Sequence, residues 1–199
     1  MPILAIETTG AACSVAFADG ARVREQTRIA PRRHNALVLE MVDTLLASVG
    51  VRPRELEAVA FSAGPGSFTG VRIGAAVAQG IALGASVPVI RVATSEVMAE
   101  QVRRRSDAPG VVTVRPSRAG WVYAARYAFE SGAVACEAFD ALVPSDGVAR
   151  PPRDWLVADR EERLRAAVLA ELARPMPRLD AAEAIPFYVQ GDSPWRKMS

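Results

Sequence analysis

FSAGPGSFTGVRIG, residues 61–74, places four glycines and a proline between an apolar run and a long segment rich in alanine and glycine. The apolar run predicts a buried strand at residues 58–62, and the later segment predicts a helix at residues 68–84 that ends at a glycine. A glycine-rich turn from a strand into a helix is typical of phosphate-binding sites. Glycine also lets two backbones approach closely, because it has no side chain. The stretch therefore indicates either a nucleotide site or a packing surface.

The elements around this turn follow the order β-β-β-α-β-α-β-α. Short β-rich runs predict three antiparallel strands, and a helical pattern of apolar residues that stops at Gly50 predicts the first helix. The third helix has Thr94 or Ser95 as its predicted N-cap and three arginines in its last turn. The predicted bounds are strands at residues 3–7, 13–18, 23–28, 58–62 and 89–92, and helices at residues 34–49, 68–84 and 95–105.

Beyond a linker of sequence RSDAPG, the second half repeats this order in abbreviated form. It predicts strands at residues 111–114, 121–129, 133–139 and 155–158 and a helix at residues 160–173, with no long helix before the fourth strand. We therefore predict two domains, residues 1–105 and 106–199. Two such lobes are the architecture of the superfamily of actin, sugar kinases and Hsp70. The predicted fold class is α/β, a two-lobed actin-like (RNase H-like, ASKHA) fold with an abbreviated second lobe, which by itself assigns no function.

The composition favours a globular cytoplasmic protein. Of 199 residues, 50% are hydrophobic and 23% are charged, which is enough apolar surface for a core, and the net charge is +2. Cys13 and Cys136 lie far apart without metal-binding spacing, as expected in a reducing compartment. The first residues show no secretory leader. Residues 73–90 lack charge, but their alanine and glycine favour a buried helix over a membrane span.

Two short stretches contain candidate nucleotide contacts. The first predicted hairpin, IETTGAACS, places Thr8 and Thr9 where a nucleotide loop would lie, although the hydroxyls could equally close the turn. The second stretch contributes Gly64, Gly66 and Ser67. It is neither a Walker loop nor a dinucleotide fingerprint, and it lacks the hydrolase pattern G-x-S-x-G.

The predicted helix at residues 68–84 favours a packing role. Gly70 and Gly74 are four residues apart, as are Gly80 and Gly84, and each glycine within a helix costs about 1 kcal/mol relative to alanine. Close backbone packing recovers that cost. Four glycines exceed what one intrachain contact needs, which favours a contact with another chain, although packing within the chain alone stays open. The predicted partner-interface residues are His34, Leu37, Val38, Met41, Leu45, Gly70, Ile73, Gly74, Val77, Gly80, Ile81 and Gly84.

No metal site or acid–base pair emerges from the sequence. A metal ligand at His34 would need a second ligand four residues later on the same helical face, and that position is Val38. The acidic residues show no paired spacing on one element. We therefore predict no catalytic residues and no metal ligands, and a surface or cap position for His34.

Three segments resemble the bacterial TsaB (YeaZ) family. They are ILAIETTGAACSVAFADG, HNALVLEMVDTLL and FSAGPGSFTGVRIGAAVAQGIALG, and the likeness is close over residues 1 to about 100. It is looser beyond, where GWVYAARY and the terminal IPFYVQGDSPWRK are similar to the family's tyrosine strand and tail. Pro116, Ser117 and Arg118 stand where family members often have Asp-Ala-Arg.

The resemblance implies a non-catalytic subunit for a tRNA-modifying enzyme. Family members dimerise, or pair through two first-lobe helices with the catalytic paralogue TsaD, and the ATPase TsaE joins the assembly. The enzyme transfers a threonylcarbamoyl group to N6 of adenosine 37 in tRNA. We expect no intrinsic cofactor, with ATP or ADP and metal only in the partner complex, a homodimer when alone, at most indirect contact with tRNA, and no membrane. The paralogue binds metal through H-x-x-x-H, which His34 and Val38 do not reproduce.

Two other functions stay open. A stand-alone actin-like ATPase or kinase is suggested by the element order and by Thr8 and Thr9, although VRPSRAGWVY supplies no second phosphate loop. A metallopeptidase would need metal ligands that the sequence lacks.

Overall fold

The structure, a computed structural model, describes residues 1–29, 31–159 and 163–189. Two mixed β-sheets and four α-helices make up the described chain. The strands are β1 Ile3–Glu7, β2 Ala12–Asp19, β3 Arg22–Ile29, β4 Ala58–Ser62, β5 Val89–Val92, β6 Gly110–Pro116, β7 Trp121–Glu130, β8 Ala133–Pro144 and β9 Leu156–Ala158. The helices are α1 His34–Val49, α2 Phe68–Ala85, α3 Thr94–Arg103 and α4 Ala166–Ala173.

The first sheet has the strand order β3-β2-β1-β4-β5. β1, β2 and β3 pair antiparallel through tight turns, and β4 and β5 join β1 in parallel through helical crossovers. β1 and β4 are buried along their whole length, because helices cover both faces of the sheet. Leu4, Ile6 and Phe61 face α1 and α2, while Ile3 and Ala5 face α4.

The second sheet repeats this pattern with the order β8-β7-β6-β9. β6, β7 and β8 pair antiparallel, β9 joins β6 in parallel, and no helix lies between β8 and β9 among the residues described, which agrees with the predicted abbreviation. The predicted domain boundary at residue 105 falls in the connection from α3 to β6.

α3 and α4 form the layer between the two sheets. α3 packs on β6 and β8 of the second sheet, whereas α4 packs on β1 and β2 of the first. Met98 and Val102 of α3 and Leu169 of α4 therefore share one core with residues of both sheets. The helix α3 of the first half thus packs on the second sheet, and α4 of the second half packs on the first sheet. The two halves of the chain are therefore stabilised by the same buried apolar area.

Four helix ends differ from the predictions, among them the end of α3 at Arg103 instead of residue 105, while α1 ends as expected at Gly50 in the left-handed conformation. α2 continues past Gly84 to Ala85, and Ser86 takes the left-handed position instead. α3 begins at Thr94 after an extended Ala93 and has no side-chain cap, because Ser95 is bonded elsewhere. α4 begins at Ala166, and residues 160–162 of its predicted first turn lie outside the described residues.

α2 is the one described helix that is long and apolar enough to cross a membrane by length and composition. In the fold it packs along β4, and its residues Val71, Ala75 and Ala78 are buried against the rest of the chain. The side-chain amide of Gln79 on α2 also donates a hydrogen bond to the Ala181 carbonyl. The apolar residues on this side of α2 therefore pack within the fold.

Candidate functional site: the glycine-rich turn, the interlobe polar cluster and the face of α2

The glycine-rich turn packs directly on the first hairpin. Gly64 has a φ of +107°, which only glycine adopts readily, and precedes a cis bond to Pro65. The Ser67 amide donates to the Thr9 carbonyl at 2.9 Å. A side chain at Gly66 would place its Cβ 2.7 Å from the Thr9 Cβ. The turn is therefore built for close approach to the hairpin.

Gly70 and Gly74 serve the same intrachain contact. A Cβ at position 70 would lie 2.1 Å from the Thr8 carbonyl oxygen, and one at position 74 would lie 2.8 Å from the Thr8 Oγ1. The Thr8 hydroxyl donates to the Gly70 carbonyl at 2.8 Å. The interpretation that placed both glycines against another chain is corrected: the first turns of α2 recover the cost of their glycines by packing on Thr8.

The hydroxyls proposed to contact a nucleotide are bonded within the chain. Thr9 donates to the Glu7 Oε1 through both its amide and its hydroxyl, each at 2.6 Å. Ser62 donates to the other Glu7 oxygen. Thr8 and Thr9 are 1% exposed. This arrangement follows the alternative in which the hydroxyls close the turn, and it leaves neither side chain turned towards solvent.

Arg115 brings a positive charge from the second sheet to this turn. Its guanidinium donates to the Thr9 carbonyl at 2.7 Å and lies beside Gly10 and Gly66. Its Nε is buried and has no partner in the described part of the chain. Burial lowers the pKa of Arg115, and the charges of Glu7 and Asp140 oppose that shift. A side chain of the protein itself therefore fills the space between the lobes next to the candidate nucleotide loop.

A second polar group joins three elements that are distant in sequence. The Ser95 Oγ of α3 donates to the Asp140 Oδ2 of β8 at 2.5 Å and lies 2.8 Å from the Tyr127 hydroxyl of β7. Burial raises the pKa of Asp140 to about 6, although the bond from Ser95 and the charge of Arg115 oppose the shift. Burial also raises the pKa of Tyr127.

Sequence reasoning missed this group, because no spacing within one element signals it. Asp140 and Glu96 line a cavity of about 790 Å³, together with Arg91, Phe187 and other residues. Burial raises the pKa of Glu96 as well, and the charge of Glu100 adds to that shift. Ser95 itself is fully buried. The group can hold a proton near pH 6, but Ser95 is not placed to attack a substrate.

His34 lies in the cap region, one of its two expected positions, because it is the first residue of α1, directly after the N-cap Arg33. It is buried, however, so the expected surface position is wrong, and its Nε2 lies 3.2 Å from the Ala12 carbonyl oxygen. In the part of the chain that the structure describes, no three His, Cys, Asp or Glu residues lie close enough together to hold a metal ion.

Cys13 is buried and Cys136 exposed, and burial raises the pKa of Cys13 to about 11, which keeps that thiol protonated.

The predicted partner-interface residues divide into two groups. Six of them are buried in the fold of the chain itself, and this corrects their assignment to a contact surface: His34, Val38, Met41, Leu45, Gly70 and Gly74. The other six are partly or fully exposed: Leu37, Ile73, Val77, Gly80, Ile81 and Gly84. Exposed Leu39 and Leu83 were not predicted.

The exposed members on α2 form one face, defined by Ile73, Val77, Gly80, Ile81 and Gly84 and called here the α2 face. Their spacing of three and four residues places them on one side of the helix. Among the residues that the structure describes, a Cβ at Gly80 or Gly84 would meet no atom within 4 Å. The α2 face is therefore apolar, flat and free of intrachain contacts above its two glycines.

Comparisons of the sequence with known proteins relate the chain to proteins of tRNA threonylcarbamoyladenosine biosynthesis. Residues 23–169 match the family described as TsaD: tRNA N6-adenosine threonylcarbamoyltransferase. The tRNA threonylcarbamoyladenosine biosynthesis protein TsaB of Escherichia coli (strain K12) is 43% identical over 127 residues, which are 64% of this chain and 55% of that protein. TsaB of Haemophilus influenzae is 39% identical over 62% of this chain and 52% of that protein. The chain thus spans about half the length of the curated relatives it matches.

A solved structure extends the likeness to the whole fold. The crystal structure of a protein with similarity to the peptidase YEAZ, from Pseudomonas aeruginosa, superposes with a TM-score of 0.87 at 29% identity. The match covers 95% of this chain and 99% of that chain. The likeness confirms the predicted α/β, two-lobed RNase H-like (actin-like) fold.

Proposed function

This chain belongs to the TsaB (YeaZ) family, and we propose that it acts in tRNA threonylcarbamoyladenosine biosynthesis as a non-catalytic subunit that docks with and activates a TsaD-type enzyme. In this proposal the partner enzyme transfers the threonylcarbamoyl group to N6 of adenosine 37. The present chain provides a docking surface and contributes no reacting group.

The α2 face is the observation that supports this proposal. Gly80 and Gly84 each cost the isolated helix about 1 kcal/mol relative to alanine. Unlike Gly70 and Gly74, they have no neighbour in the described part of the chain that requires their small size. Ile73, Val77 and Ile81 beside them remain partly exposed. A second helix packed on this face would bury the apolar side chains and approach the glycine backbone closely, as in other small-residue helix contacts.

The polar residues between the lobes support the absence of catalysis by this chain. Thr8, Thr9 and Ser95 are buried and bonded within the fold, and the Arg115 guanidinium lies where a ligand would have to approach the first hairpin. A stand-alone ATPase or kinase would need phosphate contacts at this turn, where Thr8 and Thr9 are buried and only Ser67 of the three predicted hydroxyl contacts is exposed. We also propose that ATP or ADP and the metal ion bind only in the complex with the partner enzyme, and not to this chain alone.

The assembly that we propose contains the TsaD-type paralogue and a TsaE-type ATPase, and it works in the cytoplasm. Without its partner the chain forms a homodimer through the same α2 face, since that surface is apolar and would otherwise remain exposed. The homodimer and the complex with the TsaD-type enzyme therefore compete for one surface, and they exclude one another.

Reconstitution of the modification tests the proposal. The TsaD-type and TsaE-type proteins of the same genome are incubated with unmodified tRNA, ATP and a preformed threonylcarbamoyl donor. Nucleoside mass spectrometry then measures threonylcarbamoyladenosine with and without the chain. We expect product only when the chain is present, and no ATP turnover by the chain alone. Equal product without the chain, or ATP hydrolysis by the pure chain, would refute the activator role.

A further inference from the structure

Exposed aromatic rings and half-buried arginines lie together at the mouth of the groove between the lobes. Phe68 and Arg72 come from the start of α2, Arg91 comes from β5, and Phe187 and Tyr188 come from the segment after α4; these five are called here the aromatic–arginine patch. The Arg72 guanidinium carbon lies 3.5 Å from the centre of the Phe68 ring and 5.5 Å from that of Tyr188. The Arg91 guanidinium carbon lies 4.9 Å from the centre of the Phe187 ring.

The backbone holds these side chains in place. The Phe187 amide donates to the Ala63 carbonyl at 2.8 Å, next to the glycine-rich turn. Arg91 donates to the Ile185 carbonyl at 3.2 Å, and Arg72 donates to the Phe68 carbonyl at 2.8 Å. Tyr188 and Phe68 nevertheless remain 59% and 58% exposed. The patch therefore presents fixed aromatic surface to solvent, which an ordinary core contact would not do.

The charge of the patch is not neutralised. Within the described ranges, neither Arg72 nor Arg91 takes part in an ion pair. Phe68, Arg72, Phe187 and Tyr188 line a cavity of about 170 Å³ with Ser67, Ser117 and Tyr123 among its other walls, and none of its described lining residues carries a carboxylate. Significant cation–π contacts occur about once per 70–80 residues in proteins, so three in one patch is a local concentration.

We propose that the aromatic–arginine patch binds an unpaired nucleotide of an RNA strand. Exposed aromatic rings beside arginines are the arrangement that stacks bases and contacts phosphates in single-stranded nucleic acids. In this proposal a base stacks on the faces of the Phe68 and Tyr188 rings that Arg72 leaves free, and Arg72 contacts the adjoining phosphate. The proposal rests on the proposed function, because a tRNA pathway supplies such a strand. It departs from the expectation of at most indirect contact with tRNA, because it adds a direct RNA contact to the docking role.

The size and charge of the site favour an RNA strand over a free nucleotide. Small-molecule sites occupy about 300–1,000 Å³, so the 170 Å³ cavity accepts one ring and leaves the remainder of a ligand on the open surface. A strand suits such an open platform. The larger cavity that shares Phe187 and Tyr188 carries the carboxylates of Glu96 and Asp140, so an anionic strand is expected on the Arg72 side.

Fluorescence anisotropy of a labelled, unstructured RNA oligonucleotide with the full chain tests this site. We expect Tyr188→Ala to weaken binding roughly tenfold, because stacking on an aromatic ring contributes about 1–3 kcal/mol per base. Arg72→Ala is expected to lower the slope of log affinity against log salt by about 0.7, the value for one phosphate contact to a single strand. Leu156→Ala and Arg153→Ala are the controls, since they remove an exposed apolar side chain and an exposed arginine outside the patch and outside both cavities.

Several outcomes would overturn the RNA site. They are an absence of RNA binding, equal effects of the patch and control variants, an unchanged salt slope in Arg72→Ala, or displacement of the strand by a single equivalent of ATP. A loss of TsaD-type enzyme binding with unchanged RNA affinity would instead make the patch a protein contact. Because association with the enzyme is measured separately, failure of the RNA site is distinguishable from failure of the docking proposal.

Discussion

Gly70 and Gly80 lie ten residues apart on α2, but they meet opposite surroundings. Gly70 packs against the Thr8 carbonyl, where a methyl group would overlap with backbone atoms, whereas Gly80 faces open space. A backbone neighbour cannot move aside as a flexible side chain can. At the scale of a residue, the physical reason for a glycine therefore differs between the two positions: Gly70 is needed for the fold, and Gly80 is available to a partner.

Alanine substitution separates these two reasons. We expect Gly70→Ala to lower the free energy of unfolding by about 2 kcal/mol, which lies within the usual range for overpacking. The matched variant Gly80→Ala should raise it by up to about 1 kcal/mol, because alanine favours the helix and meets no neighbour. Urea denaturation of the isolated chain at low concentration measures both. Equal changes in the two variants would contradict the assignment of Gly70 to the Thr8 contact.

Asp140 predicts an unusual dependence of stability on pH. Its pKa is about 6 in the fold, against an ordinary value of 3.8, so between these values the folded state binds more protons than the unfolded state. The contribution of Asp140 to stability therefore falls as pH rises from about 4 to 6 and stays low above that. Asp140→Asn removes this titration, and it should gain up to about 3 kcal/mol relative to the parent chain between pH 4 and pH 7.

The difference between the two chains is the quantity to measure. Other carboxyl groups titrate in the same range, but they contribute equally to the parent chain and to Asp140→Asn. Denaturant unfolding of both at pH 4, 5, 6 and 7 gives that difference directly. A gap that does not change with pH would mean that the Asp140 carboxyl is not desolvated in the fold.

At the scale of an element, the segment after α4 acts as a strap across the first lobe. Leu179 and Val89 exchange backbone bonds at 2.9 and 3.0 Å, and Gln79 of α2 donates to the Ala181 carbonyl at 2.8 Å. Ala181 and Ala184 of this strap are buried in the core beside α2. The strap therefore fixes the position of Phe187 and Tyr188 relative to α2.

Gln79→Ala should loosen this strap selectively. Loss of one hydrogen bond of this kind costs about 1 kcal/mol. We expect the amides of Leu179 and Ala182 to exchange several-fold faster with solvent, while amides of β1 and β4 keep their rates. Hydrogen exchange followed by mass spectrometry reports both regions in one experiment. Uniform acceleration over the whole chain would show that the strap does not open separately.

The elements themselves were largely predictable, whereas the polar contacts between them were not. β1, β4, β5 and α1 have the predicted bounds, because their apolar periodicity and Gly50 are local signals. The ends of α2 and α3 differed because Ser86 and Ala93 take cap positions that the sequence pattern does not mark. Local spacing also could not show that Asp140 would lie against Ser95, since tertiary packing of α3 on β8 creates that contact.

The predicted contact residues were wrong in part for a related reason. Helical spacing shows which residues share a face, but it does not tell whether that face meets the chain's own core or a partner. The side chains of Val38 and Met41 of α1 are buried in the first lobe. Gly70 and Gly74 of α2 are buried there as well, with their backbone packed on Thr8. Only the tertiary structure separates them from the exposed side chains of the same two helices.

At the scale of the whole molecule, the layer order leaves one helical layer open. α3 and α4 are enclosed between the two sheets, so their apolar faces are satisfied within the chain. α1 and α2 cover only the outer face of the first sheet, and Leu39, Leu83 and the α2 face remain exposed. Since large exposed apolar patches mark interaction sites, the docking surface is expected on this outer layer.

Titration of the chain with the TsaD-type enzyme of the same genome, with calorimetry to measure the dissociation constant, tests the docking claim most directly. We predict a saturable complex for the parent chain and at least a tenfold weaker one for Gly80→Leu, which fills the flat surface of the α2 face. Ala149→Leu adds the same side chain at an exposed loop position and should bind like the parent chain. Gly80→Leu binding as tightly as the parent chain, with both variants folded, would contradict docking through α2.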